Sequence, residues 1–341
     1  MYWYYKYPLL IALVALLGGV GYIVWQSSKT LRAGEPEPEP VVTPGDKPGV
    51  TPSADPDTSA GGALPGPVAP LPNVRDDGPV VASTDLPPLV ARLLAAARSR
   101  INDGKLESGR NIALRALHAE GVAEFSPSWY EAAEIISKAN TLFMNSAAPC
   151  SEKVGYTIRD GDNLTVIANR LGTTVKALQR LNPEMLSGTS SRIYPGKTLS
   201  ALKADWSIRV SKSQFALQLL NGDRLFKLYR IAVGRQNRTP VGAFRVVNKV
   251  DRPDWTHPSG DVIPYGDKAN VLGTHWLAIM PTGETDPNLR GFGIHGTWEP
   301  ESIGTAASLG CVRMRNAEVA ELYDFIPLPR DGRGTKVTIE N

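Results

Sequence analysis

Two side chains in the C-terminal third have the chemistry of a nucleophile and its base: Cys311, in Ser308-Leu309-Gly310-Cys311-Val312-Arg313-Met314-Arg315-Asn316, and His295, in Gly293-Ile294-His295-Gly296-Thr297. A thiol attacks as its thiolate, which a neighbouring imidazolium or backbone donors stabilise. Sixteen positions separate the pair, too many for one helical face, so a fold must bring them together. Gly310 permits a tight turn and lets a substrate approach the sulfur. Main-chain N–H groups at Gly310 and Cys311 can receive a developing oxyanion. Arg313 can hold a substrate carboxylate or polarise the site. Taken singly, the same residues have plainer readings: a buried thiol packs as a small hydrophobe, and a lone histidine is a satisfied core residue. Zinc would need a ligand beyond Cys311 and His295, for which His257 and His275 are available. With two cysteines and four histidines, the chain is neither a disulfide-dense scaffold nor a Cys-rich zinc module. Cys150, in a connector after Ala147-Ala148-Pro149, reads as an incidental thiol, since pairing it with Cys311 would consume the nucleophile.

The elements that must position this pair are mostly strands. Phe215, Leu217 and Leu219 alternate before Asn221-Gly222, and Leu225, Leu228 and Ile231 follow, a hairpin signal. Thr239-Pro240-Val241-Gly242-Ala243-Phe244 reads as a turn feeding another strand, and the one long amphipathic helix runs from Ala317 to Phe325. H-G-T, then S-x-G-C-V-R-M-x-N, preceded by T-P-x-G-x-F, resembles the YkuD-type L,D-transpeptidase catalytic domain over roughly 206–340, including Asn270-Val271-Leu272-Gly273 and the closing Val337-Thr338-Ile339 strand. The resemblance implies that Cys311 attacks the stem-peptide carbonyl between an L-configured centre and D-alanine, that D-alanine leaves, and that an amine of another stem takes the acyl group. It makes His295 the base, oriented by the Gly296 carbonyl, with Ser308, Gly310 and Arg313 supporting the site. The histidine common before the Gly-Cys pair is here Leu309, which leaves His295 as the motif's histidine.

Ahead of this domain, Tyr156-Thr157-Ile158-Arg159-Asp160-Gly161-Asp162-Asn163-Leu164 reads as a strand and a Gly-Asp turn. A helix burying Leu164, Ile167, Ala168 and Leu171 follows, then a second helix ended by Asn182-Pro183, and Pro195-Gly196-Lys197-Thr198-Leu199 closes with a strand. Residues 154–200 resemble a LysM domain, which implies a βααβ fold that binds N-acetylglucosamine polymers, here peptidoglycan. The groove implied by the resemblance places Gly161, Asp162, Asn163 and Leu164 opposite Asn182, Pro183 and Glu184. The same residues also serve as helix caps and turns. Ser187–Ser191 is insertion-like.

Residues 89–147 carry helical spacing in three runs, Leu89 to Ile101, Ile112 to Leu117, and Trp129 to Ala139, with Asp103-Gly104 as a break and Ser126-Pro127 as a start. Their small-residue faces faintly resemble a tetratricopeptide unit, without a 34-residue repeat. The run reads as a helical spacer or packing platform, with a partner-binding groove as the alternative. Residues 35–88 hold 14 of the 28 prolines and nine acidic against two basic residues, the composition of an extended, disordered tether. Residues 7–28 carry no charge. At ~1.5 Å per residue they span roughly 33 Å, enough to cross a bilayer of about 30 Å. Aromatic residues flank the run, and no A-x-A-like cleavage site follows Trp25, so an uncleaved anchor is expected over a signal peptide.

The expected fold class is therefore multidomain: an N-terminal transmembrane helix (7–28), a disordered acidic Pro-rich linker (35–88), an α-helical segment (89–147), a βααβ LysM module (154–200) and a mostly-β L,D-transpeptidase catalytic domain (206–340). Residues 89–341 carry 32 basic and 25 acidic side chains, a balance that suits an anionic polymer, while motifs for nucleic acid are lacking. The expected partners are peptidoglycan strands and stems, the membrane through the first helix, and a protein for segment 89–147 in the groove alternative. The expected place is the cytoplasmic membrane, with LysM and catalytic domains on its outer side, and no cofactor is implied. Two competing functions are an L,D-carboxypeptidase, in which water replaces the acceptor amine, and a non-catalytic wall-binding scaffold. Deleting 154–200 is expected to weaken binding to insoluble peptidoglycan and to leave acylation of a soluble donor largely intact.

Overall fold

The computed structural model describes residues 87–146, 148–186, 192–329 and 334–341. The membrane-helix expectation, nearly all of the linker and the Ser187–Ser191 stretch lie outside them. Among the described residues no helix is long and apolar enough to cross a membrane.

Three helices open this part: α1 Pro88–Asn102, α2 Leu106–Leu117 and α3 Pro127–Met144. Ser126 caps α3 by accepting from the Trp129 N–H at 3.3 Å, with Pro127 at the first turn, and Gly104 breaks α1 from α2 in a left-handed conformation (φ +75). Their shared core is rich in alanine (Ala97, Ala113, Ala116, Ala132, Ala133, Ala139), which lets the helix axes approach closely. They stand on β5 (Arg224–Arg230), the last strand of the main sheet. Leu225 is buried in the helical core, Asn140 donates to the Phe226 carbonyl at 2.8 Å, and the Leu228 N–H donates to the Ser137 hydroxyl at 3.0 Å. An exposed strand edge is thereby covered. The segment works as a packing platform for the domain that follows.

Next come β1 (Lys153–Thr157), α4 (Leu164–Leu171), α5 (Val175–Leu181) and β2 (Thr198–Leu202), with β1 and β2 antiparallel. Asn163 and Thr174 cap the two helices through the Val166 and Ala177 N–H groups at 2.9 Å each, and Gly172 ends α4 in the left-handed region. The expected βααβ order holds. The module is not separate from its neighbour, however. Ala177 and Leu181 are buried in the same cluster as Trp206, Phe226 and Phe325 of the next domain. Arg180 pairs with Asp324 at 2.9 Å and lies over the Phe325 ring, and Thr174 donates to the Asp324 carbonyl. Removing 154–200 therefore strips a wall from the catalytic core, which corrects the expectation of a clean deletion. Leu181→Ala is expected to destabilise the molecule by about 2–5 kcal/mol. Calorimetry should show module and catalytic domain shifting together in one transition.

The remaining strands are β3 (Trp206–Ser211), β4 (Ala216–Asn221), β6 (Val233–Gly234), β7 (Gly242–Asp251), β8 (Trp255–Thr256), β9 (Val262–Ile263), β10 (His275–Thr282), β11 (Gly293–His295), β12 (Ala306–Ser308), β13 (Val312–Arg313) and β14 (Lys336–Glu340), with α6 at Asn316–Phe325. Seven of them join β5 in one eight-stranded sheet of order β13-β11-β10-β7-β14-β3-β4-β5, while β6 pairs with β12 and β8 with β9. The Asn221-Gly222 hairpin joins β4 to β5 as expected. Three pairings are parallel: β11 with β13, β14 with β3, and β12 with β6. Ala232, just past β5, exchanges both backbone hydrogen bonds with Arg313 (2.9 and 2.8 Å), so the chain leaving the last strand returns to the first. Helix α6 buries Val319, Leu322 and Phe325 on this sheet.

Candidate active site

The parallel pairing of β11 and β13 sets Ile294 beside Val312 and His295 beside Arg313. Paired residues of parallel strands share a face, so His295 and Arg313 lie side by side, and Cys311 is the residue just before β13, with Arg313 close enough to act on both the thiol and the imidazole. Cys311 is half-buried and thus reachable, whereas His295 is 3% exposed. Both sequence-predicted partners share one site.

The nucleophile's turn is held from both sides. The Ser308 hydroxyl donates to the Cys311 carbonyl at 2.6 Å and accepts from the Gly310 N–H at 3.1 Å, so it folds the turn instead of facing substrate. Thr239, the first residue of the T-P-x-G-x-F stretch, donates to the Gly310 carbonyl at 2.8 Å. Gly310 has φ +149, and a Cβ there would lie 2.9 Å from Phe292. Glycine is required by conformation and by space. The thiol points at the Gly291 carbonyl, 3.6 Å away.

His295 bonds through Nδ1 to the Gly296 carbonyl at 2.6 Å, the orientation expected from sequence. With Nδ1–H donating, Nε2 carries the lone pair. Trp276 packs beside the ring, 5.8 Å between centroids, and crosses the space that a Cβ on Gly293 would fill. Burial therefore lowers the imidazole to about 4, opposed by the Gly296 carbonyl, reinforced by Arg313, and opposed again by the Leu272 carbonyl. Burial also raises the Cys311 thiol, against the Gly293 backbone and Arg313. The pair thus rests as neutral thiol and neutral imidazole. A preformed thiolate beside an imidazolium, the state first considered from sequence, is disfavoured on both partners.

This burial links protonation to stability. In the unfolded chain His295 takes up a proton near pH 6.5, but in the fold only near pH 4. Its contribution is intact above 6.5 and is lost as pH falls toward 4, by about 3 kcal/mol in all. Urea unfolding of wild type against His295→Gln across pH 4–7 should show this slope in the wild type alone.

Arg313 is 8% exposed and pairs with Glu299 at 2.9 Å, so its charge is already answered by a carboxylate. Asn316, at the start of α6, was legible as the last letter of the motif but without a role. Its side-chain oxygen accepts from the Thr274 and Thr297 N–H groups, 3.1 Å each, tying together the turns before β10 and after His295. Thr239 was likewise a motif letter without a role, and Glu299 was not singled out by the sequence. His257 bonds to Ser259 and His275 packs on Tyr323, so the histidines weighed for a metal have other neighbours. Cys150 lies in the helical core as a free thiol.

In the first module, Asp162 accepts from the Tyr156 hydroxyl (2.8 Å), the Arg159 N–H (2.9 Å) and Arg170 (3.1 Å). Leu164 is core, and Asn182 spends its amide on Leu178 and Ser200. Gly161, Asn163, Pro183 and Glu184 are exposed.

A reachable cysteine at the start of one strand and a histidine fixed by its own neighbour's carbonyl on the strand paired with it are the parts that a thiol-based acyl transfer needs. Residues 205–339 match the YkuD L,D-transpeptidase catalytic domain, and residues 156–201 match the LysM domain. YkuD of Bacillus licheniformis, named as an L,D-transpeptidase, is 34% identical over 54% of this chain and 97% of its own. YkuD of Bacillus subtilis is 32% identical over the same shares, and YqjB of that organism 34% identical over 40% of this chain and 73% of its own. The chain belongs to the YkuD-type L,D-transpeptidase family. It is an L,D-transpeptidase preceded by a peptidoglycan-binding LysM domain.

Proposed function

We propose that this enzyme cross-links peptidoglycan through a thioester on Cys311. The observation that carries the reading is the Nδ1–Gly296 bond, which leaves the lone pair of a neutral His295 on Nε2, on the strand paired with the one that Cys311 immediately precedes. As the sulfur bonds to the stem carbonyl carbon, its proton passes to Nε2. The carbon–nitrogen bond to D-alanine then breaks, and the same proton leaves on the amine. An acceptor amine attacks the thioester, gives a proton to Nε2, and releases the thiol. Of the two N–H groups expected to receive the oxyanion, that of Gly310 is spent on the Ser308 hydroxyl, which leaves the Cys311 N–H for that role. Segment 7–28 anchors the chain in the cytoplasmic membrane, and the LysM and catalytic domains work on its outer side. The exposed Gly161, Asn163, Pro183 and Glu184 are the glycan contacts that this reading favours.

Intact-protein mass spectrometry with a tetrapeptide donor tests it. An acyl mass on the peptide containing Cys311, absent from Cys311→Ala, is expected, and its persistence in that variant would reject the nucleophile. Cross-linked dimers among the products support transpeptidation, whereas shortened stems alone indicate that water is the acceptor.

A further inference from the structure

Between β6 and Thr239 the chain makes an exposed loop, Arg235-Gln236-Asn237-Arg238. It is built against the nucleophile's backbone. The Thr239 hydroxyl, which donates to the Gly310 carbonyl, also accepts from the Gly234 N–H at 2.7 Å. A Cβ on Gly234 would lie 2.7 Å from the Thr239 nitrogen and 2.9 Å from the Gly310 Cα, so the loop's two ends and the turn before Cys311 are in direct contact. The Arg238 carbonyl is 3.3 Å from where a Cβ on Gly310 would be.

Within the loop Gln236 and Asn237 both have left-handed backbones, with φ of 52 and 60. Asparagine enters this region readily, whereas Gln236 does so at a cost that surrounding contacts must offset. The clasp at Thr239 does so, and the result is two arginines presented to solvent beside the sulfur's turn. Arg235 is steadied by the Ala307 carbonyl at 2.9 Å, and Arg238 donates to Gln236 at 3.1 Å. Among the described residues neither is paired with a carboxylate. Arg313, the arginine on the catalytic face, is already neutralised by Glu299. Solvated arginines are common, but a strained loop buttressed on the nucleophile is a costly way to place two of them.

We propose that Arg235 and Arg238 form the subsite for a stem-peptide carboxylate. This rests on the mechanism proposed above. A stem ending in D-alanine carries its terminal carboxylate three bonds from the attacked carbon, so its anchor must stand near the sulfur, and the loop that bears these two arginines packs on the turn just before Cys311. Paired guanidinium donors suit a carboxylate, and such charged hydrogen bonds favour it over a carboxamide by about 10-fold or more. The two residues decide which peptide end is accepted and are not groups in the proton transfers.

Single-turnover acylation of Cys311, followed by mass spectrometry, tests this with a tetrapeptide donor and its C-terminal carboxamide. Wild type is expected to prefer the acid by about 10-fold or more. In Arg235→Gln/Arg238→Gln the ratio should fall to about one, and in Arg235→Lys/Arg238→Lys part of it should return. Added salt should erode the wild-type ratio. A second arm presents acid and amide acceptors to the preformed acyl-enzyme. Discrimination confined to that arm and lost in the double Gln variant assigns the subsite to the acceptor's carboxylate. Equal rates for acid and amide in both arms, or a preference that survives the double Gln variant, overturn the subsite. Absence of any adduct on wild type overturns the mechanism beneath it.

Discussion

Replacing His295 by alanine is expected to slow acylation of Cys311 by about 10³-fold, within the range attributed to a general base. The effect is large because the thiol holds its proton at neutral pH, raised by burial, so no thiolate waits for substrate. The pH dependence distinguishes this from an ion-pair mechanism. As pH falls through about 4, His295 becomes protonated and Nε2 ceases to be an acceptor, so the rate should drop there and stay level from about 5 to 8. A stopped-flow profile with its acid limb near 6.5 would mean that the imidazole is solvated in the working enzyme.

Asn316→Ala is expected to cost both stability and rate. It strands two backbone N–H groups, of Thr274 and Thr297, at about 1–3 kcal/mol each. Those turns flank the strand that carries His295, and Gly296 has no room for a Cβ because the Asn316 oxygen is there. Loss of the tie frees the Gly296 carbonyl that holds Nδ1, and acylation should slow by about 10–100-fold. Asn316→Asp retains the acceptor and should recover most of the loss in both chemical denaturation and single-turnover assays. A variant that is destabilised yet acylates at the wild-type rate would make Asn316 a structural residue alone.

What the chain discloses before folding depends on range. Caps at Ser126 and Asn163, the left-handed stop at Gly172 and the Asn221-Gly222 turn are local events, and each is where residue type and spacing put it. The chemistry of Cys311 and His295 was legible for the same reason, as motif letters. The pairing that unites them was not, since β11 and β13 are three and two residues long, too short for any periodicity. That Ala177 and Leu181 would be buried in the neighbouring domain's core was not legible, because apolar spacing does not say which partner buries a side chain. The neutral resting state was equally hidden, since it follows from the packing of Trp276 and its neighbours around the imidazole.

The clamp of Thr174 and Arg180 on Asp324 has a consequence for how the enzyme meets its polymer. A hand fused rigidly to its tool cannot sweep an area; it can only act at one set stride from where it holds. Sugars gripped by the first module would thus select which pendant peptide comes under the sulfur, and spacing along the strand, more than abundance, would determine where new bridges are laid.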